Sequence, residues 1–335
     1  MNRTYRGVPF SILELALVNE TQDERRALED MLQVAKKAEA LGFYRFWLAE
    51  HHNMPGVASS ATSILIGHVA ENTERIRVGS GGVMLPNHAP LIVAEQYGTL
   101  ETLFPNRIDL GIGRAPGTDQ ATAYALRRTL HGEGETFPEL LAELRSYFEA
   151  DEKALIKAIP GAGLTHIPIW LLGSSDYSAR LAASLGLPFS FASHFAPKLL
   201  DEAIALYREQ FTPSEVLTES RAMVTVNIIA ADTDEEANYI SSSLKKMFLH
   251  LAQGISSKFQ PPKEEQFTAY EEALFTRSLN PQTTLIGSKE TIAKKIDALL
   301  ERTEADELMI SSPIYDLDAR LRSLEIIAEL FDGEV

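Results

Sequence analysis

Four stretches of the chain follow one plan, in which an apolar, strand-like run ends abruptly in residues suited to holding a ligand: FWLAEHH at 46–52, IRVGSGGVMLP at 76–86, RIDLGIGRAPG at 107–117 and IPIWLLGSSDYS at 167–178. In a parallel α/β barrel the carboxyl ends of all strands point to one face, so this pattern gathers its polar punctuation around one pocket. Strand-like runs near 8–17, 43–49, 76–85, 107–113, 167–172, 187–193, 221–230 and 306–311 alternate with helix-like segments from end to end. Eight such runs predict a closed (β/α)8, or TIM, barrel. At 335 residues, 45% of them hydrophobic, the chain suits one barrel domain over 1–335.

Thirty-one Lys and Arg stand against 47 Asp and Glu, a net charge of −16 that repels phosphate backbones and anionic lipid. Nucleic acid and membrane surfaces are therefore not expected partners. The lack of cysteine excludes disulfides, thiolate metal sites and a Cys nucleophile. The early apolar stretch VPFSILELAL carries Pro9 and Glu14 and lacks a small-residue cleavage site, so it reads as a first barrel strand rather than a secretion signal. No run of about 18 apolar residues occurs. A soluble, cytoplasmic protein is expected.

Thr21 with Glu24, and Thr233 with Glu236, match the capping box that starts a helix. The acidic cluster Asp232, Asp234, Glu235 and Glu236 reads as charge gathered at the positive end of that second helix. Residues 251–284 break the alternation with Gly254, Ser256, Ser257, Pro261 and Pro262. They predict a long insertion between strands 7 and 8 on the ligand side, either a mobile lid or a passive surface excursion.

The chemistry-bearing groups stand at strand ends. Glu50, His51 and His52 close the second strand, where an imidazole can exchange protons near neutral pH. Adjacent side chains of an extended chain point to opposite sides, so one of the two histidines faces the pocket and the other is structural. Gly79, Ser80, Gly81 and Gly82 interrupt the third strand, as a flat ligand against the backbone or a simple bulge would require. The fourth ends in Gly111, Gly113, Arg114, Pro116 and Gly117, close to a dinucleotide fingerprint. Pro116 has no N–H to offer a pyrophosphate, so a Rossmann site is rejected. Arg114 suits a two-pronged grip on phosphate, or an ordinary salt bridge. Ser174, Ser175, Asp176, Tyr177 and Ser178 open a helix after the fifth strand, as a phosphate cradle or as an N-cap. Strands four and five are neighbours, so Arg114 and the serines can converge on one anion. His194, after the sixth strand, reads as a substrate contact or as part of a helix entry.

Taken in order, PFSILELAL, AEHH, VGSGGVMLPNHAP, NRIDLGIGRAPG, LLGSSDYSARLAASLGLPF and ADELMISSPIYDLDARLRSLEIIAE resemble the bacterial luciferase-like flavin-dependent monooxygenases along nearly the whole chain. The resemblance implies a (β/α)8 barrel, reduced FMN supplied by a separate flavin reductase, and oxygenation of a small organic substrate by O2. It implies His51 as the active-site histidine, supported by Glu50. Gly81 and Gly82 correspond to the family's cis peptide behind the isoalloxazine ring, and Ser80 is expected with them as a cofactor-binding residue. Arg114 corresponds to the family's phosphate-binding arginine and Ser175 and Ser178 to its hydroxyl ligands, with Ser174 expected beside them as a cofactor contact. Ser174 stands where luciferase has a carboxylate and Gly113 where it has a cysteine, which points to a non-luminescent member. A homodimer is expected, with ATSILIGHVA as a candidate surface. A deazaflavin-dependent dehydrogenase of the same fold and a non-catalytic flavin-binding protein are the alternatives. A metal-dependent barrel hydrolase is disfavoured, because strand one offers no His-x-His pair. No metal is expected, and substrate contacts are expected from 115–135 and 251–284.

Overall fold

The computed structural model describes residues 2–115, 120–126, 136–264 and 267–334. The expected runs form eight parallel strands: β1 Val8–Glu14, β2 Arg45–Leu48, β3 Arg77–Ser80, β4 Ile108–Gly113, β5 Ile169–Gly173, β6 Phe189–Phe191, β7 Ala222–Ala230 and β8 Glu307–Ser311. Each pairs with the next, and β8 pairs with both β7 and β1, which closes the barrel. The third run is shorter than its sequence suggested. β3 stops at Ser80, the Gly81–Gly82 peptide is cis, and Val83–Met84 resumes pairing with β4. A short strand absent from the sequence reading, Thr284–Gly287, pairs with Asn227–Ala230 of β7.

The strands alternate between two cores, as their period of two requires. Ile12, Phe46 and Leu48 face outward into the core shared with the helices, whereas Leu13 and Trp47 face the barrel axis. Helix Glu24–Leu41 meets the outer core through Met31, Val34, Ala35 and Ala38, an apolar stripe at helical spacing. Its N-cap is Asp23, whose carboxylate accepts the Arg26 N–H at 2.9 Å, and not the expected Thr21, which meets the Tyr315 hydroxyl at 3.2 Å. Asp caps as well as Ser or Thr and adds a negative charge at the positive helix end. Thr233 does cap its helix, accepting the Glu236 N–H at 3.1 Å.

Inside the barrel the amino-terminal layer is charged. Arg45 donates to Asp109 at 2.7 Å and to Glu307 at 2.8 Å, Arg77 donates to Asp109 at 2.7 Å, and Ser11 to Glu307 at 2.6 Å. Burial pushes the Asp109 carboxyl up, but Arg45 and Arg77 outweigh it and hold it below the usual carboxylate range. Above this layer lies an apolar plate of Leu13, Trp47, Trp170, Met223 and Met309. Trp47 meets Trp170 edge to face with centroids 5.6 Å apart, and its Nε1–H donates to Asp109 at 3.1 Å. Gly79 belongs to this packing: a Cβ there would lie 2.5 Å from the Asp109 carbonyl oxygen and 2.9 Å from Trp47 Nε1. The glycine makes room for the plate, which is neither of the reasons its sequence suggested.

Between β7 and β8 run helices Asp234–Ile240, Ser242–Ala252, Ala269–Thr276 and Lys289–Thr303. Phe259, in the irregular stretch after the second of these, bridges to Asn19 beyond β1. No helix among the described residues is long and apolar enough to cross a membrane.

Candidate active site

A cavity of about 890 Å³ opens at the carboxyl ends of the strands. This lies at the upper end of the range of small-molecule pockets. Its lining draws on every part of the barrel mouth: Leu13 and Trp47 from the plate, Gly81 and Gly82 after β3, Gly113 and Arg114 at the end of β4, Ser174 and Ser175 after β5, and Met309 of β8. The segment after β7 supplies a wall that includes Phe248, Leu251, Ile255 and Phe259.

One corner is polar. Ser178, buried in the first turn of helix Asp176–Leu185, joins Ser174 and Ser175 on the cavity surface. Gly173 permits this, because a Cβ on it would lie 2.4 Å from Ser178 Oγ. Ser175 occupies the N-cap position without a side-chain cap bond, so its hydroxyl is not spent on the helix end. Arg114 lines the same cavity, with its guanidinium carbon 4.2 Å from the centroid of Tyr177. The expected convergence of the β4 and β5 ends is therefore present. Asp176, whose charge would oppose an anion, is turned along the exposed face toward Arg180 at 3.4 Å. Pro116 and Gly117 lie outside the described residues, as does most of 115–135.

The histidines divide as the alternation rule requires. His51 lines the cavity, and His52 turns to Glu50, its Nε2 lying 2.9 Å from Oε1. Glu50 is not a cavity residue. Its carboxylate also meets His88 Nε2 at 2.8 Å and accepts the Met84 N–H at 3.2 Å. Burial pushes this carboxyl up, but His88, His52 and Met84 N–H together hold it below the usual range. The expected Glu50 support of His51 thus takes a different form: the carboxylate fastens the chain after β2 to the chain after β3. Nothing in PNHAP shows which carboxylate the fold brings to His88, so its role is not visible in the sequence. The donor atoms of Glu50, His52 and His88 lie within 4.8 Å of one another, close enough for a cation. Their hydrogen bonds account for the cluster without one.

Ser80, expected at the cofactor wall, is buried beneath it. Its hydroxyl donates to the Gly111 carbonyl at 2.8 Å and accepts the Gly111 N–H at 3.1 Å, stitching β3 to β4. Its side chain belongs to the outward-facing set of β3, while Gly81, Gly82 and Met84 beyond it line the cavity. His194 also lines the cavity. Its carbonyl accepts from Asn227 Nδ2 at 2.6 Å, and its ring packs edge to face on Phe195 at 4.8 Å. Burial, with a smaller contribution from His51, pushes its pKa down to about 3, so the ring is neutral.

The family model for luciferase-like monooxygenases matches residues 8–307. A luciferase-like monooxygenase of Escherichia coli strain K12 is 47% identical over 330 residues, covering 98% of each chain. The structure of apo-MsnO8 matches with a TM-score of 0.87 at 33% identity, covering 97% of this chain and 99% of that one. Two more distant structures share the fold. One is the oxygenating constituent of 3,6-diketocamphane monooxygenase from the CAM plasmid of Pseudomonas putida in complex with FMN, with a TM-score of 0.73, 18% identity and coverage of 97% and 98%. The other is the coenzyme F420 dependent tetrahydromethanopterin reductase from Methanopyrus kandleri, with a TM-score of 0.69, 16% identity and coverage of 97% and 98%. The chain is a member of the luciferase-like monooxygenase family.

Proposed function

We propose that the protein is an FMN-dependent monooxygenase that oxygenates a small organic substrate, with reduced FMN delivered by a separate flavin reductase. The observation that carries the cofactor assignment is the polar corner, where one guanidinium and the hydroxyls of Ser174, Ser175 and Ser178 surround the edge of a mostly apolar cavity. That donor set suits a phosphate monoester, and the N–H groups of the following helix start add to it. Gly81 and Gly82 offer side-chain-free backbone against which a flat ring can lie. Bound in its reduced form, FMN would supply the electrons with which O2 oxygenates the substrate.

The chain's own groups have separate tasks in this reading. Arg114 and the serines hold the phosphate. The Trp47 plate closes the floor and excludes water from below. His51 holds or passes a proton at the cavity surface, and Glu50 keeps the segment bearing it in place through His52 and His88. A homodimer would cover Ile64 and Ile92, which are 71% and 47% exposed on helices Thr62–Glu71 and Pro90–Leu103. Sedimentation velocity tests that surface with Ile64→Lys.

The second reading, a deazaflavin-dependent dehydrogenase, is favoured by the F420 dependent neighbour of the same fold. Anaerobic titration with reduced FMN and with reduced deazaflavin, followed by mixing with O2, separates the two. Tight binding of reduced FMN, and an altered rate of its oxidation relative to free FMN, is the expected result. Absence of binding to both redox forms of FMN would remove the proposal.

A further inference from the structure

The cavity is larger than its polar corner and glycine wall, and the remaining surface is mostly apolar. Phe248, Leu251, Ile255 and Phe259 face it from the segment after β7, and Leu17 and Met54 from the loops after β1 and β2. Three large apolar side chains on this surface are solvent-exposed: Phe195 by 46%, Leu251 by 48% and Ile255 by 46%. Exposed apolar groups gathered around a cavity mark a surface that gains free energy when a ligand covers it. Arg114 is the one Lys or Arg among the described lining residues, and it belongs to the corner with the serines. A carboxylate in the apolar part would lose its hydration without a fixed counter-charge.

Polar side chains also reach that surface, among them Asn227, Thr225 and His250, and each of these has a hydrogen-bond partner within the protein. His194 lines the cavity, and its Nδ1 is buried with no hydrogen-bond partner among the described residues. An orphaned buried N–H is costlier than an orphaned lone pair, so the tautomer with hydrogen on Nε2 is favoured. The ring is neutral, and its donor edge is then Nε2–H.

We infer that the apolar part of the cavity takes an uncharged, mostly apolar organic molecule bearing one hydrogen-bond acceptor, and that His194 Nε2–H donates to that acceptor. Calling this molecule the substrate rests on the monooxygenase reading; its chemistry is taken from the residues that would touch it.

Three probes of similar size separate the terms: acetophenone with an acceptor, ethylbenzene without one, and para-acetylbenzoate with an acceptor and a charge. Isothermal titration calorimetry is run on the protein with and without FMN. Acetophenone is expected to bind roughly five- to tenfold more tightly than ethylbenzene, the worth of one neutral hydrogen bond. It should exceed para-acetylbenzoate by at least as much. His194→Phe should bring acetophenone down to the level of ethylbenzene, and His194→Asn, which keeps an N–H donor, should retain part of the preference. Equal or tighter binding of para-acetylbenzoate overturns the inference, as does an unchanged acetophenone preference in His194→Phe. Should His194→Phe not fold, the probe order on the unmutated protein and on His194→Asn decides. If FMN does not bind, the monooxygenase reading falls, while the order of the probes on the FMN-free protein still decides this inference.

Discussion

The guanidinium carbon of Arg114 sits 4.2 Å from the centroid of the Tyr177 ring, so the end of β4 is clamped to the first turn of the helix after β5. Stacking occupies a face of the guanidinium and leaves its edge N–H groups to a ligand. Arg114→Ala is expected to weaken FMN binding by about 1.5–3 kcal/mol, the value of hydrogen bonds to a charged group. Riboflavin, which lacks the phosphate, should change much less. Tyr177→Leu should cost FMN about 0.5–1 kcal/mol through loss of the stack. Fluorescence titration with both ligands measures this, and equal losses for FMN and riboflavin would show that the phosphate lies elsewhere.

Glu50 and His51 are adjacent in sequence, and they should fail differently. Glu50→Ala leaves the Met84 N–H, His52 and His88 short of an acceptor, at a cost of about 1–3 kcal/mol in unfolding free energy. His51→Asn should leave stability near that of the unmutated protein while removing the protein's effect on the oxidation of reduced FMN. Urea unfolding and stopped-flow absorbance distinguish the two. A large stability loss in His51→Asn would make that residue structural.

The barrel and most of the cavity lining were legible because both follow from local pattern. Apolar runs that stop at Gly, Ser, His or Arg mark strand ends, and parallel strands put those ends together. The segments that pair across the sequence were not legible. Asp109 and Arg45 are 64 residues apart, and Glu307 is 262 from Arg45, yet they form one buried network. Its only local trace is a charge inside an otherwise apolar strand, as in RIDLGIG and YRFWLAE. His88 and Ser80 show the same limit: the residues were visible, but their partners come from other strands. Thr284–Gly287 escaped notice because four residues carry too little periodicity to separate a strand from a loop.

That network makes a prediction about acid. Removing one partner of a buried pair costs about 3–5 kcal/mol, because the other charge is left uncompensated. Asp109→Asn should therefore be destabilised by that order at pH 7. The folded Asp109 carboxyl is held below its ordinary value, so its contribution is present above the unfolded carboxylate pKa and lost as pH falls through the folded one. The unmutated protein should thus lose stability steeply below the usual carboxylate range, and Asp109→Asn less steeply. Urea midpoints through that range test the sign.

His194 predicts a separate loss at milder pH. Its folded pKa is pushed from 6.5 down to about 3, so between those values the unfolded chain binds a proton that the folded chain does not. Stability is then complete above about 6.5 and falls as pH drops toward 3, the window set by linkage. At pH 5 the loss from this one group is about 2 kcal/mol. His194→Phe cannot take up the proton in either state, so its stability should fall by about that much less between pH 7 and pH 5. The depressed carboxyls of Glu50 and Asp109 lose their contributions at lower pH, outside this interval. Matching slopes for the two proteins in urea unfolding would mean that His194 is charged when folded, and a charged ring could not line the apolar side of the cavity as a neutral donor.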